Sequence, residues 1–495
     1  MAPNPYKIAV IGCGITGSTL TSELLRLGCS NFATIRVFDQ GRSPGGRCSS
    51  RLLTLDDPLA ADGGKVELTV DHGCQFFRSD LTGPSKDVVG GWLDRGWVKK
   101  LDSLNASTSS TSSSSSSSSS TPSFFGFPNL PPFYYPSSGG MVSLVSKQVD
   151  SWPSEAVTLS PSSRVNSVAY NLDSDKWQVT ATTGPNAIHD TADKDMEAAP
   201  PENSEDFDCV VFTDVSSTTF SSWHRASALG SSSCLPPDFL EAVAARLEVS
   251  GRVPLFSCIV VFSERLELDD GADAVTFGDG YNSAWFCCRS SAKLGDEPSS
   301  SSSTLDAWVV ISTPKFGVDE ITRVPMQRGD GKFIPQEKSY LREGPCQKLL
   351  SDLKKLAGGE LPEIVHVDGQ RWGSALPGVK FGGREGGKKV CRHVLYDGAM
   401  QDLAPTRHHA DKGKSFVGDP AGLFQAGDMM AMSTPGVEGA ILSAAECAQG
   451  VTKFLEGKGA LDSQLKYIKE QREAGREYYE PTYLKHQRGE DDKNS

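Results

Sequence analysis

Three glycines in the run IAVIGCGITG, residues 8–17, stand at G-x-G-x-x-G spacing: Gly12, Gly14 and Gly17. That spacing suits chemistry that needs main chain close to a phosphate. Gly12 makes the tight turn out of a strand, Gly14 lets backbone approach a pyrophosphate, and Gly17 lets a helix pack close to the strand. A helix opening at Ile15 and Thr16 presents free N–H groups and the positive end of its dipole. Asp39 ends the next apolar run, 22 residues after Gly17, where it can accept hydrogen bonds from two ribose hydroxyls, with Gln40 beside it. A dinucleotide site is the chemistry these residues support. Alone, they do not separate FAD from NAD.

Three further blocks carry polar groups among glycines: GRSPGGRCSSR at 41–51, VDHGCQFF at 70–77 and FQAGDMMAMSTPGVEGA at 424–440. Gly45 and Gly46 permit backbone approach, and Arg47 can neutralise a pyrophosphate or hydrogen-bond a ligand ring. With the opening motif, and in this order, the blocks resemble the amine-oxidase-like flavoproteins. Within them they are most similar to renalase and its bacterial and plant relatives. Shorter stretches agree: RVNSV at 164–168, DKWQV at 175–179, FDCVVFT at 207–213 and QRW at 370–372.

The resemblance implies an α/β fold with α+β character: a Rossmann-like FAD-binding domain of glutathione-reductase type with an inserted mixed-sheet substrate domain. It implies that Cys74 and Gln75 border the isoalloxazine, Gln75 through its amide. Val165 would offer backbone N–H and C=O to the adenine, and Gly427 and Asp428 would serve the ribityl chain. A helix opening at Val437, Glu438 and Ala440 would aim its N-terminus at the flavin, stabilising the anionic reduced ring. The implied reaction is hydride transfer to flavin N5 from a small-molecule substrate, a reduced and isomeric nicotinamide dinucleotide, followed by electron transfer to O2 to give hydrogen peroxide. No catalytic acid or base is required of such a donor, because its ring becomes aromatic as the hydride leaves. His72 is only a weak candidate for that role. FAD is expected to be non-covalent, since 424–440 contains no cysteine to link it.

Plainer readings stand beside these. Arg47 can be a surface ion-pair residue, Gln75 a structural amide, His72 a packed histidine and Glu438 a helix N-terminal charge. Trp285, Phe286 and Trp308 suit sheet core better than a substrate cage. Two other functions also remain open: an oxidase of amines or isoprenoids, and a catalytically silent FAD-binding module.

The elements that must position these residues follow from hydrophobic patterning. Lys7–Ile11 and Thr34–Asp39 read as buried strands, and 14–27 as a helix stopped by Gly28 at its C′ position. Thr21 is bulky where the helix meets the strand, so looser packing is expected. Asp208–Thr213 and Leu423–Ala426 read as further strands, with a helix from Val437 to Phe454. Arg252–Phe262, Ala284–Cys288 and Ala307–Ser312 are β-branched and aromatic runs suited to one larger sheet. Ser107–Thr121 and Ser299–Thr304 are Ser/Thr runs expected to be solvated loops. Gly184–Asp206 reads as a long hairpin loop between Trp177–Thr180 and Asp208–Thr213. Leu465, Tyr467 and Ile468 suggest a short separate helix in the charged stretch from Leu461 onwards.

The 495 residues divide on this reading into cofactor-domain segments 1–85, 136–222 and 386–456, substrate-domain segments 86–135 and 223–385, and a charged tail 457–495. A net charge of −13 argues against non-specific nucleic-acid binding. No secretory signal or membrane span is visible, and no C-x-x-C or zinc-type spacing occurs among the 12 Cys. Mostly reduced, buried thiols in the cytoplasm are expected, with an organelle left open.

Overall fold

A computed structural model describes residues 5–56, 64–102, 104–109, 132–171, 174–184, 202–214, 250–268, 271–294, 305–325, 337–385, 388–395, 417–418, 422–430 and 436–473, together with Phe124, Phe127 and Ile334. Two large sheets dominate. The first has six strands in the order Val417–Gly418, Leu423–Gln425, Cys209–Phe212, Tyr6–Ile11, Ala33–Phe38 and Val157–Ser160. All run parallel except Val417–Gly418. Ile8 lies opposite both Cys209 and Ile35, so the opening strand is central.

A parallel sheet is covered on both faces, and its strands are accordingly apolar throughout. On one face, Ile8 and Val10 pack with Leu20 and Leu24 of helix Ile15–Arg26 and with Ile441 and Ala444 of helix Val437–Glu473. On the other, Ala9, Ile11 and Phe212 pack against Trp177, Val179 and Phe207 of a three-stranded antiparallel meander, Ser163–Asn171, Lys176–Thr183 and Glu202–Phe207. Thr21 does not loosen the helix. It is fully buried, and its hydroxyl bonds back to the Gly17 carbonyl at 2.9 Å.

The second sheet has seven strands: Lys388–Leu395, Ile364–Glu385, Ser250–Phe262, Asp306–Ser312, Ala284–Arg289, Ala274–Phe277 and Ala106–Ser109. It joins the three expected runs in one sheet. Helix Pro345–Leu356 buries Leu349 and Leu353 against Val260, Cys287 and Trp308 on one face. Trp308 and Phe286 are fully buried, so these aromatics are sheet core as expected.

Four expectations about the chain need correction. Glu202–Phe207 is a strand and not loop, and it is this strand that pairs with Lys176–Thr183. Its acidic residues suit an edge, where Glu205 binds Lys7 and Arg36 of the neighbouring sheet. The start of the serine run is also a strand, with Ser107–Ser109 paired in parallel to Val275–Phe277. The C-terminal helix runs on from Phe454 to Glu473 and includes Leu465, Tyr467 and Ile468. Leu, Ala, Glu, Lys and Gln beyond Phe454 favour helix strongly enough to absorb Gly457 and Gly459, each costing about 1 kcal/mol. Finally, Lys388–Leu395 pairs with Ile364–Glu385 and so belongs to the second sheet. Residues 110–123, 299–304 and 185–200 lie outside the described residues.

Candidate functional site

The strand Tyr6–Ile11 ends at Gly12, whose φ of 103° is open to glycine but strained for other residues. Gly17 packs so tightly that an added Cβ would strike the Gly12 carbonyl. Gly14 is different. It caps helix Ile15–Arg26 without a capping side chain, and an added Cβ would meet only the Gly45 carbonyl, at 3.8 Å. Gly46 lies opposite, where a Cβ would come 3.5 Å from the Gly14 Cα. The Gly45 N–H donates to the Cys13 carbonyl at 2.9 Å, which holds the 41–47 loop over the glycine turn. Gly14, Gly46 and the first-turn amides near Ile15 and Thr16 therefore lie side by side, a stretch of bare backbone whose chemistry suits a pyrophosphate.

Asp39 is buried beside it. Its carboxylate accepts from the Cys13 N–H and the Gly41 N–H, both at 2.7 Å. Burial pushes the carboxyl above its usual range, and these two donors pull it partly back. Gln40 is exposed at the rim. The Ser163 N–H donates to the Asp39 carbonyl at 2.8 Å, which brings the start of the meander and Val165 to this end of the cradle. Val165 is buried beside a strand irregularity.

At the other end Arg47 meets Asp428. The guanidinium forks onto the carboxylate at 2.8 and 2.5 Å and also donates to the Ala375 carbonyl at 3.1 Å. Burial disfavours the Arg47 charge, but the Asp428 carboxylate more than offsets this, and the guanidinium pKa is raised. Its side chain still keeps 30% of its surface open, against 3% for Asp428. Gly427 positions Asp428: its φ is 136°, and its N–H donates to the Ser443 hydroxyl at 2.8 Å. Thus the blocks at 41–51 and 424–440 meet as an ion pair.

The block at 70–77 lies against the same arginine. The Cys74 N–H donates to the Arg47 carbonyl at 2.9 Å. Gln75, however, does not reach outwards. Its amide nitrogen donates to the carbonyls of Asp71 and Gly73, at 2.6 and 3.0 Å, and its oxygen accepts from Lys293 at 3.2 Å. Its polar atoms hold the loop together, so the structural reading of Gln75 fits better than a ligand contact. His72 is also packed. Its ring lies 5.3 Å from that of Trp372, and its carbonyl accepts from Trp372 and from Ser257. Burial, and then the Arg51 charge, push its pKa down to about 4, so the ring is neutral near pH 7. That leaves it a poor proton acceptor.

Glu438 accepts from the Asp80 N–H at 3.0 Å, tying the C-terminal helix to the loop after the 70–77 block. Burial pushes its carboxyl upwards. Val437 and Ala440 are buried at that helix start, and the Ala440 N–H bonds to the Gly436 carbonyl.

Nothing in the sequence marks Lys293. It sits in a short helical turn, Ser291–Leu294, and its ammonium is buried against Asp71 at 2.8 Å and over the Tyr135 ring at 4.9 Å. Asp71 also accepts from Ser50, Tyr135 and the Met141 N–H, at 2.5, 2.6 and 2.8 Å. A lysine in a polar Ser-rich stretch reads as solvated; its partner lies 222 residues away in sequence. Only the Asp71 half stood within a conspicuous block. Beyond Gln75, Phe76 packs with Phe124, Phe127, Phe133 and Phe286 in an aromatic wall reaching the second sheet. No cluster of His, Cys, Asp and Glu suited to a metal occurs among the described residues, nor any helix long and apolar enough to cross a membrane.

Residues 10–90 match the family model described as an NAD(P)-binding Rossmann-like domain. No curated protein matches the sequence. The fold is similar to reduced UDP-galactopyranose mutase, at 11% identity over 90% of this chain and 94% of that one, with a TM-score of 0.54. It is similar to putrescine oxidase bound to putrescine, at 12% identity over 91% and 99% with a TM-score of 0.53. It is also similar to cyclohexylamine oxidase from Brevibacterium oxydans IH-35A, at 12% identity over 91% and 100% with a TM-score of 0.52. The chain thus has a mixed α/β fold in which a Rossmann-like dinucleotide-binding domain is joined to a second sheet.

Proposed function

We propose that this chain is an FAD-dependent oxidoreductase of the renalase-like type, binding FAD non-covalently. The observation that carries this reading is the meeting of four sequence blocks: Gly46 lies against Gly14, Gly427 beside Thr16, Arg47 pairs with Asp428, and the Cys74 N–H bonds to the Arg47 carbonyl. The ribose end belongs to Asp39 and Gln40, the adenine to Val165, and the flavin end to Arg47, Asp428 and the helix start at Val437, Glu438 and Ala440. The cofactor domain in this reading comprises 1–85, 136–222 and 386–456, and the substrate domain 86–135 and 223–385, with Lys388–Leu395 moved to the latter. A cytoplasmic setting belongs to the same reading.

A bound flavin would supply two-electron chemistry, taking hydride at N5 and passing electrons to O2 to give hydrogen peroxide. The chain's own residues hold and orient. Arg47 fixes Asp428 and keeps its remaining N–H donors for an anionic or carbonyl partner. The helix start at Val437 favours negative charge placed before it. The wall around Phe76 keeps water from one side of the substrate space. With His72 held neutral and packed, no general base stands out among the described residues, and this reading takes a donor that needs none. A reduced, isomeric nicotinamide dinucleotide is such a donor.

A second reading, oxidation of an amine, draws support from the likeness to putrescine and cyclohexylamine oxidases. Anaerobic mixing separates the two. Bleaching of the flavin colour by a reduced nicotinamide isomer, but not by amines, is the expected result. Bleaching by amines alone overturns the first reading in favour of the second.

A further inference from the structure

Two thiols flank the arginine of the cradle. Cys48 ends the helical turn Gly46–Cys48, and Cys74 lies in the loop bonded to the Arg47 carbonyl. The two segments are packed without slack, since a Cβ on Gly73 would strike that same carbonyl. The side chains of Cys48 and Cys74 are neighbours, and the Cys74 thiol donates to the Phe76 carbonyl at 3.2 Å. Among the ten described cysteines, nine are buried and Cys74 alone is partly open. A second pair, Cys258 and Cys346, is also in side-chain contact, but both are buried in the core beneath the second sheet. The same chemistry thus occurs twice, once within reach of solvent and once out of it.

We propose that Cys48 and Cys74 are an oxidisable dithiol that forms a reversible disulfide beside the cofactor cradle, with a hydroperoxide as oxidant. Cys74 is the accessible sulfur and reacts first. Its thiolate attacks one peroxide oxygen, the O–O bond breaks, and the departing hydroxide takes up the thiol's proton and leaves as water. Cys74 is then a sulfenic acid. The Cys48 sulfur attacks the Cys74 sulfur, the S–O bond breaks, and the Cys48 proton leaves with that oxygen as a second water. Two thiols and one hydrogen peroxide give one disulfide and two waters, and the two electrons pass from sulfur to the peroxide. Cys48 suits the resolving role. The neighbouring Cys74 thiol, and then burial, push its pKa up and hold it as a neutral thiol until the sulfenic acid forms. In a reducing compartment such a bond is transient, as redox-sensing disulfides are. The oxidase reaction proposed above would supply peroxide at this place, but the bond itself does not depend on that reading.

The test uses the purified full chain with no substrate, so it stands apart from the oxidase assay. Added hydrogen peroxide, followed by alkylation, digestion and mass spectrometry, is expected to yield a Cys48–Cys74 linked peptide. Two alkylatable thiols should be lost and then recovered with dithiothreitol. Cys48→Ser should abolish the link and let Cys74 pass on to sulfinic acid, whereas Cys258→Ser should change nothing. A wild-type Cys74 that goes to sulfinic acid without linking overturns the proposal. So does a link from Cys74 to Cys234 or Cys391, or a peroxide-treated chain in which both thiols remain alkylatable.

Discussion

Two ion pairs join distant parts of this chain, and they differ in what they leave free. Lys293 and Asp71 are each only 1% exposed. Both oxygens of Asp71 accept two hydrogen bonds, and the Lys293 ammonium is shared among Asp71, Gln75 and the Tyr135 ring. Nothing in that cluster has capacity for a ligand. Arg47 and Asp428 are as well bonded to each other, yet the guanidinium keeps part of its surface and some of its donors free beside the open glycine cradle. Similar charge chemistry therefore yields a closed clamp in one place and, in the other, a guanidinium still able to take the ligand proposed above. Burial alone does not mark a functional site; unused hydrogen-bonding capacity facing open space does.

The largest effect expected from this comparison is on stability. Lys293→Met leaves the Asp71 carboxylate buried without its counter-charge, a change that costs about 3–5 kcal/mol. Denaturant unfolding should show that loss, and the double variant Lys293→Met with Asp71→Leu should recover part of it. A Lys293→Met protein as stable as the parent would break the contrast between clamp and site.

His72 gives a somewhat smaller effect, dependent on pH. Its folded pKa is depressed to about 4 from an ordinary 6.5. The unfolded chain therefore takes up a proton that the folded chain refuses as pH falls from 6.5 towards 4. Stability present above pH 6.5 is lost across that window, by about 3 kcal/mol. Unfolding curves at pH 7 and pH 4.5 should separate more for the parent than for His72→Leu. Equal separation would mean that His72 titrates normally.

Gly14→Asp should act on the ligand and hardly on the fold, because the space before Gly14 is open. FAD affinity should drop by at least about tenfold, or 1.4 kcal/mol, from the negative charge set beside a pyrophosphate. Gly17→Ala should instead act on the fold and lower its stability, since its Cβ would strike the Gly12 carbonyl. Equal behaviour of the two variants would remove the distinction between packing glycine and cradle glycine. The smallest effect belongs to Arg47→Lys. It keeps the charge against Asp428 but loses the two-pronged contact, so folding should change by about 1 kcal/mol or less while FAD affinity weakens measurably.

What the sequence revealed followed from local constraint. The opening strand, glycine turn and helix were legible because each glycine there answers a backbone demand within ten residues. The three central runs of the second sheet were legible because β-branched and aromatic residues cluster in them. The pairing of Arg47 with Asp428 lay within reach because both stand in glycine-flanked blocks. Lys293 was hidden, since no local feature distinguishes a buried lysine from a solvated one when its partner comes from another domain. Gln75 was left between two readings for a related reason: an amide can serve a ligand or its own loop, and the carbonyls of Asp71 and Gly73 that hold it are not visible in the sequence. The strand at Glu202–Phe207 was missed because a polar, acidic stretch reads as a loop until Lys7 and Arg36 are seen beside it.

The proposed non-covalent hold on FAD by Gly14, Gly46, Arg47 and Asp428 is tested most directly by the visible absorbance of the purified chain after incubation with FAD and removal of the excess, followed by heat denaturation. The expected result is the two-banded spectrum of oxidised flavin at about one FAD per chain, with all of the colour released to the supernatant on denaturation. A chain that stays colourless after reconstitution, or whose flavin remains with the precipitated protein, would contradict it.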